Sequence, residues 1–115
     1  MAKRLKVKLA WGTDFLFEPA LNDQQNNYIL RLQKWFTNAE ILKMVTYNNG
    51  QLLQLSGLRS PYPGKLGIVE EDALADLILV DGNPLKDLSL IADPDKNFML
   101  IMKDGQVYKN VMKDP

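Results

Sequence analysis

The chain has fourteen acidic residues but no histidine and no cysteine, so any chemistry it supports must rest on carboxylates, amines, hydroxyls or amides. Asp14 is the first candidate: in "AWGTDFLF", residues 10–17, one carboxylate follows an apolar run and a Gly-Thr turn. Such a side chain can cap a turn through its own oxygen. It can equally be a ligand or general base at the C-terminal end of a barrel strand, the face where α/β barrels gather catalytic groups. The residues alone leave both roles open. Glu70, Glu71 and Asp72 form a second carboxylate group, but neighbouring residues seldom converge on one cation without a loop built for it, so the run reads as an acidic turn. "GKLG" at residues 64–67 lacks the spacing and the following Ser or Thr of a phosphate loop, and reads as a turn too.

Composition narrows the function classes. Fourteen basic residues cancel the fourteen acidic ones, so no overall field favours nucleic acid or an anionic membrane. The one basic cluster, Lys3, Arg4, Lys6 and Lys8, reads as a solvated face. Trp35, Phe36 and Tyr47 read as helix packing, because no basic groove is interleaved with them for stacked bases. The lack of cysteine excludes disulfides and thiolate chemistry. No apolar run approaches the roughly 18 residues that span a bilayer, and the basic start lacks the apolar core of a signal peptide, so a cytoplasmic location is expected. A hydrophobic fraction of 46% with 24% charge is that of a folding globular chain of one-domain size.

The elements that must position Asp14 follow from periodicity. Residues 5–11 alternate Leu5, Val7, Leu9 and Trp11 with polar or small residues, which predicts a strand with one apolar face. A helix follows the polar run 22–27, with Asn22 or Asp23 as its cap and an apolar stripe of Tyr28, Ile29, Leu32, Trp35 and Phe36. "TNAE" at 37–40 is a capping box that starts a second helix, whose stripe of Ile41, Leu42, Val45, Leu52 and Leu55 passes a break or kink at Asn48-Asn49-Gly50 and closes at Gly57. "RSPYPGK" at 59–65 is a proline-rich connector dividing the chain into 1–58 and 59–115. Beyond it, residues 66–68 suggest a short strand and 69–75 an acidic turn. "DLILV" at 76–80 predicts a strand covered on both faces. "DGNPL" predicts a turn leading to a helical piece, and residues 97–110 predict a β-hairpin turning at Asp104-Gly105.

Three stretches in order resemble the C-terminal portion of amidohydrolase-superfamily enzymes of the imidazolonepropionase-like and Xaa-Pro dipeptidase-like groups. These are "VKLAWGTD", "FTNAEILKMVTYNNGQLLQLSG" and "GKLGIVEEDALADLILVDGNPLKDLSLIADPDKNFMLIMKDGQVYKN", which follow one another over residues 7–110. The resemblance implies an α+β fold: residues 1–58 as the last strand and helices of a (β/α) barrel, and residues 59–115 as part of a small antiparallel β-sandwich, the whole one folded unit. It implies hydrolysis of C–N bonds by water activated on one or two divalent metals, commonly zinc. By position, Asp14 takes the role of the aspartate that ends the last barrel strand, as metal ligand or general base. The family's histidine ligands have no counterpart, and a catalytic zinc needs about three protein ligands. The expectation is therefore a chain that binds no metal and catalyses nothing by itself. It would be a truncated hydrolase, one half of a split enzyme completed by an N-terminal barrel partner, or a self-associating module. Open strand edges further imply a homo-oligomer or a domain-swapped dimer.

Overall fold

A computed structural model describes residues 1–112; the last three residues of the expected 59–115 segment lie outside the described residues. The architecture is α+β: helical segments between residues 19 and 59, then a three-stranded antiparallel sheet in the order β1-β2-β3.

Helix α1 covers Pro19–Asn22, and α2 covers Gln25–Leu30 before tightening into a 3-10 turn over Arg31–Lys34. The expected cap at Asn22 or Asp23 is not used. Proline at the first helical position starts a turn earlier than the sequence pattern suggests, so Asn22 falls at the end of α1, and the N-caps Glu18 and Gln24 make no side-chain bond. The capping box does form. The Thr37 hydroxyl accepts from the Glu40 N–H at 3.3 Å, and the Glu40 carboxylate accepts from the Thr37 N–H at 2.8 Å.

From there α3, Asn38–Lys43, passes through a π-helical stretch, Met44–Asn48, into α4, Asn49–Gln54. The expected break at Asn48-Asn49-Gly50 is thus a change of helical pitch, because the three residues have work other than ending a helix. Gly50 is buried, and a Cβ there would stand 2.2 Å from the Leu66 carbonyl oxygen, so glycine is what lets the 66–67 backbone lie on the helix. Gly57, at φ +54°, adopts the left-handed conformation expected where this helical run ends.

Strand β1 is Leu77–Val80, β2 is Phe98–Lys103 and β3 is Gln106–Asn110. Lys103 pairs with Gln106 across the two-residue turn, in which Asp104 and Gly105 have φ +48° and +76°, the twist that suits a tight hairpin. Between β1 and β2 lie a 3-10 turn, Leu88–Ala92, and α5, Pro94–Asn97, capped by the carboxylates of Asp87 and Asp93. The expectation that β1 is covered on both faces fails: Ile78 is 54% and Leu79 49% exposed. It is an edge strand, and its successive side chains point to opposite faces that the described residues leave partly open.

Two other expected strands are absent. Residues 66–68 make no ladder, only one isolated bridge between Lys65 and Ala73, because Gly67 turns out of extended geometry at φ +72°. Residues 5–11 form no strand either. Residues 2–6 are a turn closed like a helix end: the Val7 N–H donates to the Ala2 carbonyl and the Lys6 N–H to that of Lys3, with Lys6 at φ +52°. Leu5 is used in that turn, and residues 7–12 find no strand to pair with among the described residues.

One core joins the two ends of the chain. Ile29 and Ile41 from the helices pack with Leu88, Ile91 and Phe98, and Trp11, Val45 and Ile101 close around them. Full burial of Ile41 and Leu88 contributes about 1.5 to 3 kcal/mol each. The helix stripes are only partly used. Trp35 is 64% exposed because the backbone leaves helical geometry there, at φ −131°, and Leu52 and Leu55 are uncovered as well.

Candidate functional site at the end of the residue 7–14 segment

Asp14 sits where a held backbone gives way to a loop. Behind it, the carboxamide of Asn49 meets both polar groups of Trp11: the Trp11 N–H donates to Oδ1 at 2.8 Å, and Nδ2 donates to the Trp11 carbonyl at 2.9 Å. The Asn48 amide donates to the Leu9 carbonyl at 2.7 Å. In a strand, the N–H and C=O of one residue point to the same side and those of the next residue to the other. Two side chains of the helix therefore meet the Trp11 N–H and the carbonyls of Leu9 and Trp11 on one flank of this segment. The opposite flank, with the polar groups of Lys8, Ala10 and Gly12, has no backbone partner among the described residues.

Ahead of Asp14 the loop is fixed by aromatic contact. The Phe15 ring meets Tyr28 of α2 edge-on at 4.7 Å between centroids, and the Arg31 guanidinium lies 3.8 Å from the Tyr28 ring centre on its face. Asp14 itself has φ +57°, a conformation that aspartate tolerates better than most side chains. Its carbonyl accepts from the Leu16 N–H at 2.9 Å.

The turn-capping role falls to a neighbour. It is the Thr13 hydroxyl that accepts from the Phe15 N–H, at 3.4 Å, whereas the Asp14 carboxylate, exposed to solvent, has no hydrogen-bond or ion-pair partner among the described residues. An open cavity of about 700 Å³ lies beside the segment, bordered by Trp11, Thr13, Val45, Asn49, Ile78 and Phe98, and Asp14 is not part of its lining. The cavity is an apolar gap between helices and sheet rather than a pocket around the carboxylate.

No other expected candidate joins Asp14. The acidic residues at 70–72 form a turn in which Glu70 pairs with Lys65, and that pairing holds the Lys65 ammonium above its ordinary range. Among the described residues, no three His, Cys, Asp or Glu side chains gather as a metal site needs. The donors among the described residues therefore do not by themselves make up a catalytic zinc site, which takes about three protein ligands. Among the same residues, no helix is long and apolar enough to cross a membrane.

Reading by residue type missed Asn48 and Asn49. The signal was present: two adjacent carboxamides inside a helical run with an apolar stripe call for partners, and in the structure they stand at the junction of the π-helical stretch and α4.

The motifs near the C-terminal end are joints. Asp76 accepts from the Asp104 N–H at 2.7 Å, tying the start of β1 to the hairpin turn. Asn83 accepts from the Leu85 N–H at 3.0 Å, and Asn38 donates to the Leu85 carbonyl at 3.1 Å, tying the "DGNPL" turn to α3.

No family model and no curated protein matches the sequence. Solved structures do. An amidohydrolase is 31% identical with a TM-score of 0.79, over 96% of this chain and 25% of that one. A prolidase complexed with N-methylphosphonate-L-proline is 26% identical with a TM-score of 0.76, over 94% of this chain and 24% of that one. The chain is related to the amidohydrolase superfamily. It spans about a quarter of the length of the structures it matches.

Proposed function

We propose that this chain is the C-terminal part of an amidohydrolase-type, metal-dependent hydrolase acting on amide or cyclic amide C–N bonds, and that it does not catalyse by itself. In this reading residues 1–58 belong to the barrel, residues 59–115 to a composite β-sandwich, and the enzyme works in the cytoplasm. Asp14 supplies one carboxylate of a metal site, zinc or another divalent ion, whose other donors come from outside the chain. The observation that carries the reading is the state of Asp14: its carboxylate has no hydrogen-bond or ion-pair partner among the described residues, Thr13 does the turn's work, and the backbone before it is held by Asn48 and Asn49.

The test is metal content and hydrolysis of an acyl-dipeptide panel, first with the purified chain and then with an N-terminal barrel portion added. The prolidase likeness makes Xaa-Pro dipeptides the first members of that panel. Turnover by the chain alone overturns the proposal; turnover that needs both parts and disappears with Asp14→Asn supports it. A second reading, a self-associating module, is favoured by the free flank at Lys8, Ala10 and Gly12 and by exposed apolar side chains such as Leu5, Leu16 and Phe17. Association without turnover in any combination favours that one.

A further inference from the structure

We infer that Asn49 is a positioning residue for Asp14, an inference that takes the proposed role of Asp14 as its starting point. Trp11 is the residue on which the backbone path toward Asp14 is set, and both of its polar groups end on one carboxamide. That carboxamide is itself oriented, because its Nδ2 also donates to the Val45 carbonyl at 3.3 Å, one helical turn back. Asn48 holds Leu9 on the same flank. Beyond Asp14, the contact of Phe15 with Tyr28 fixes the far side of the loop. The carboxylate is therefore located from the helix, before any neighbouring strand is present. A catalytic group in this position tolerates little drift, since a misplacement of about 1 Å costs about 100-fold in rate.

The test uses the full chain with Asn49→Ala, Asn49→Asp and, as a control, Asn26→Ala. Asn26 holds the Ile91 carbonyl from α2 and makes no hydrogen bond to the segment among the described residues. Backbone amide exchange and residual dipolar couplings of residues 9–15 are the first readout. Asn49→Ala is expected to lose protection at the Trp11 N–H and fixed orientation through Asp14. Asn49→Asp, which still accepts but no longer donates, keeps the Trp11 N–H protected, and Asn26→Ala leaves the segment unchanged. Retained order in Asn49→Ala with its helices intact overturns the inference, as does equal disorder in the control.

In the two-part hydrolase, Asn49→Ala is expected to lower kcat by about 100-fold with little change in KM, and Asn49→Asp to recover part of it. If Asp14→Asn abolishes turnover and Asn49→Ala does not, the positioning role fails while the proposed function stands. If the assembly turns over and Asp14→Asn is silent, the function assigned to Asp14 fails, and this inference falls with it.

Discussion

Gly50 and Gly67 form a reciprocal close approach. A Cβ on Gly50 would stand 2.2 Å from the Leu66 carbonyl oxygen, and a Cβ on Gly67 would stand 2.2 Å from that of Thr46. The helical run and the 66–67 loop thus touch backbone to backbone, immediately beside the two asparagines that hold the segment before Asp14.

Alanine at either glycine forces that contact apart. Gly67→Ala is the worse of the two, because it adds left-handed strain at φ +72° to the clash. Each substitution is expected to cost about 2 to 3 kcal/mol by urea unfolding. Gly12→Ala is the comparison: nothing lies within 4 Å of its Cβ, and the change stays within about 1 kcal/mol of the parent. A stability loss at Gly12 equal to that at Gly50 contradicts this account.

The capping box makes the helical part sensitive to acid. The Thr37 N–H, and then the Lys3 ammonium, hold the Glu40 carboxyl below its ordinary 4.5. A lowered carboxylate pKa means stability that is present above the unfolded value and is lost as pH falls from about 4.5 through the folded one. Urea midpoints are expected to drop across that window in the parent and less steeply in Glu40→Gln. Thr37→Ala is expected to cost about 1 kcal/mol at neutral pH.

At the hairpin, Asp76→Ala removes the acceptor for the Asp104 N–H, while Asp76→Asn retains an acceptor oxygen. Expected losses are about 1 kcal/mol for the alanine change and less for the asparagine change, read from thermal unfolding. Faster amide exchange at Asp104 in Asp76→Ala alone locates the effect.

The residue 7–12 segment offers a predicted route of self-association. Because Asn48 and Asn49 occupy one flank of the residue 7–12 segment, only the flank of Lys8, Ala10 and Gly12 can accept an added strand. Sedimentation velocity at micromolar concentration is expected to show species above monomer mass. Ala10→Pro, which removes one donor from that flank, shifts them toward monomer. A monomeric parent chain rules the route out.

Local signals in the sequence were the ones the structure honours. The Thr37-Glu40 box and the Asp104-Gly105 turn depend on residues close in the chain, and both form where the pattern places them. What failed depended on partners far away in sequence. The alternation of Leu5 to Trp11 is that of a strand, yet a ladder needs a second strand, and the described residues supply carboxamides instead. Likewise, Asn48-Asn49-Gly50 has the composition of a helix end, and only the contacts with Leu9, Trp11 and Leu66 show why it is not one. Asp14 could be singled out by position, but its lack of a partner among the described residues goes with Thr13 making the turn, which residue type alone does not decide.

The carboxamide contacts also set an order of events. The capping box closes over three residues, whereas Trp11 reaches Asn49 across 38. Short closures are fast and long ones slow, so the helix is expected to be in place before the segment finds it. A stretch synthesised early thus stays unsettled until a later one has folded. The register of residues 7–12 is then copied from a finished helix surface rather than negotiated with another strand.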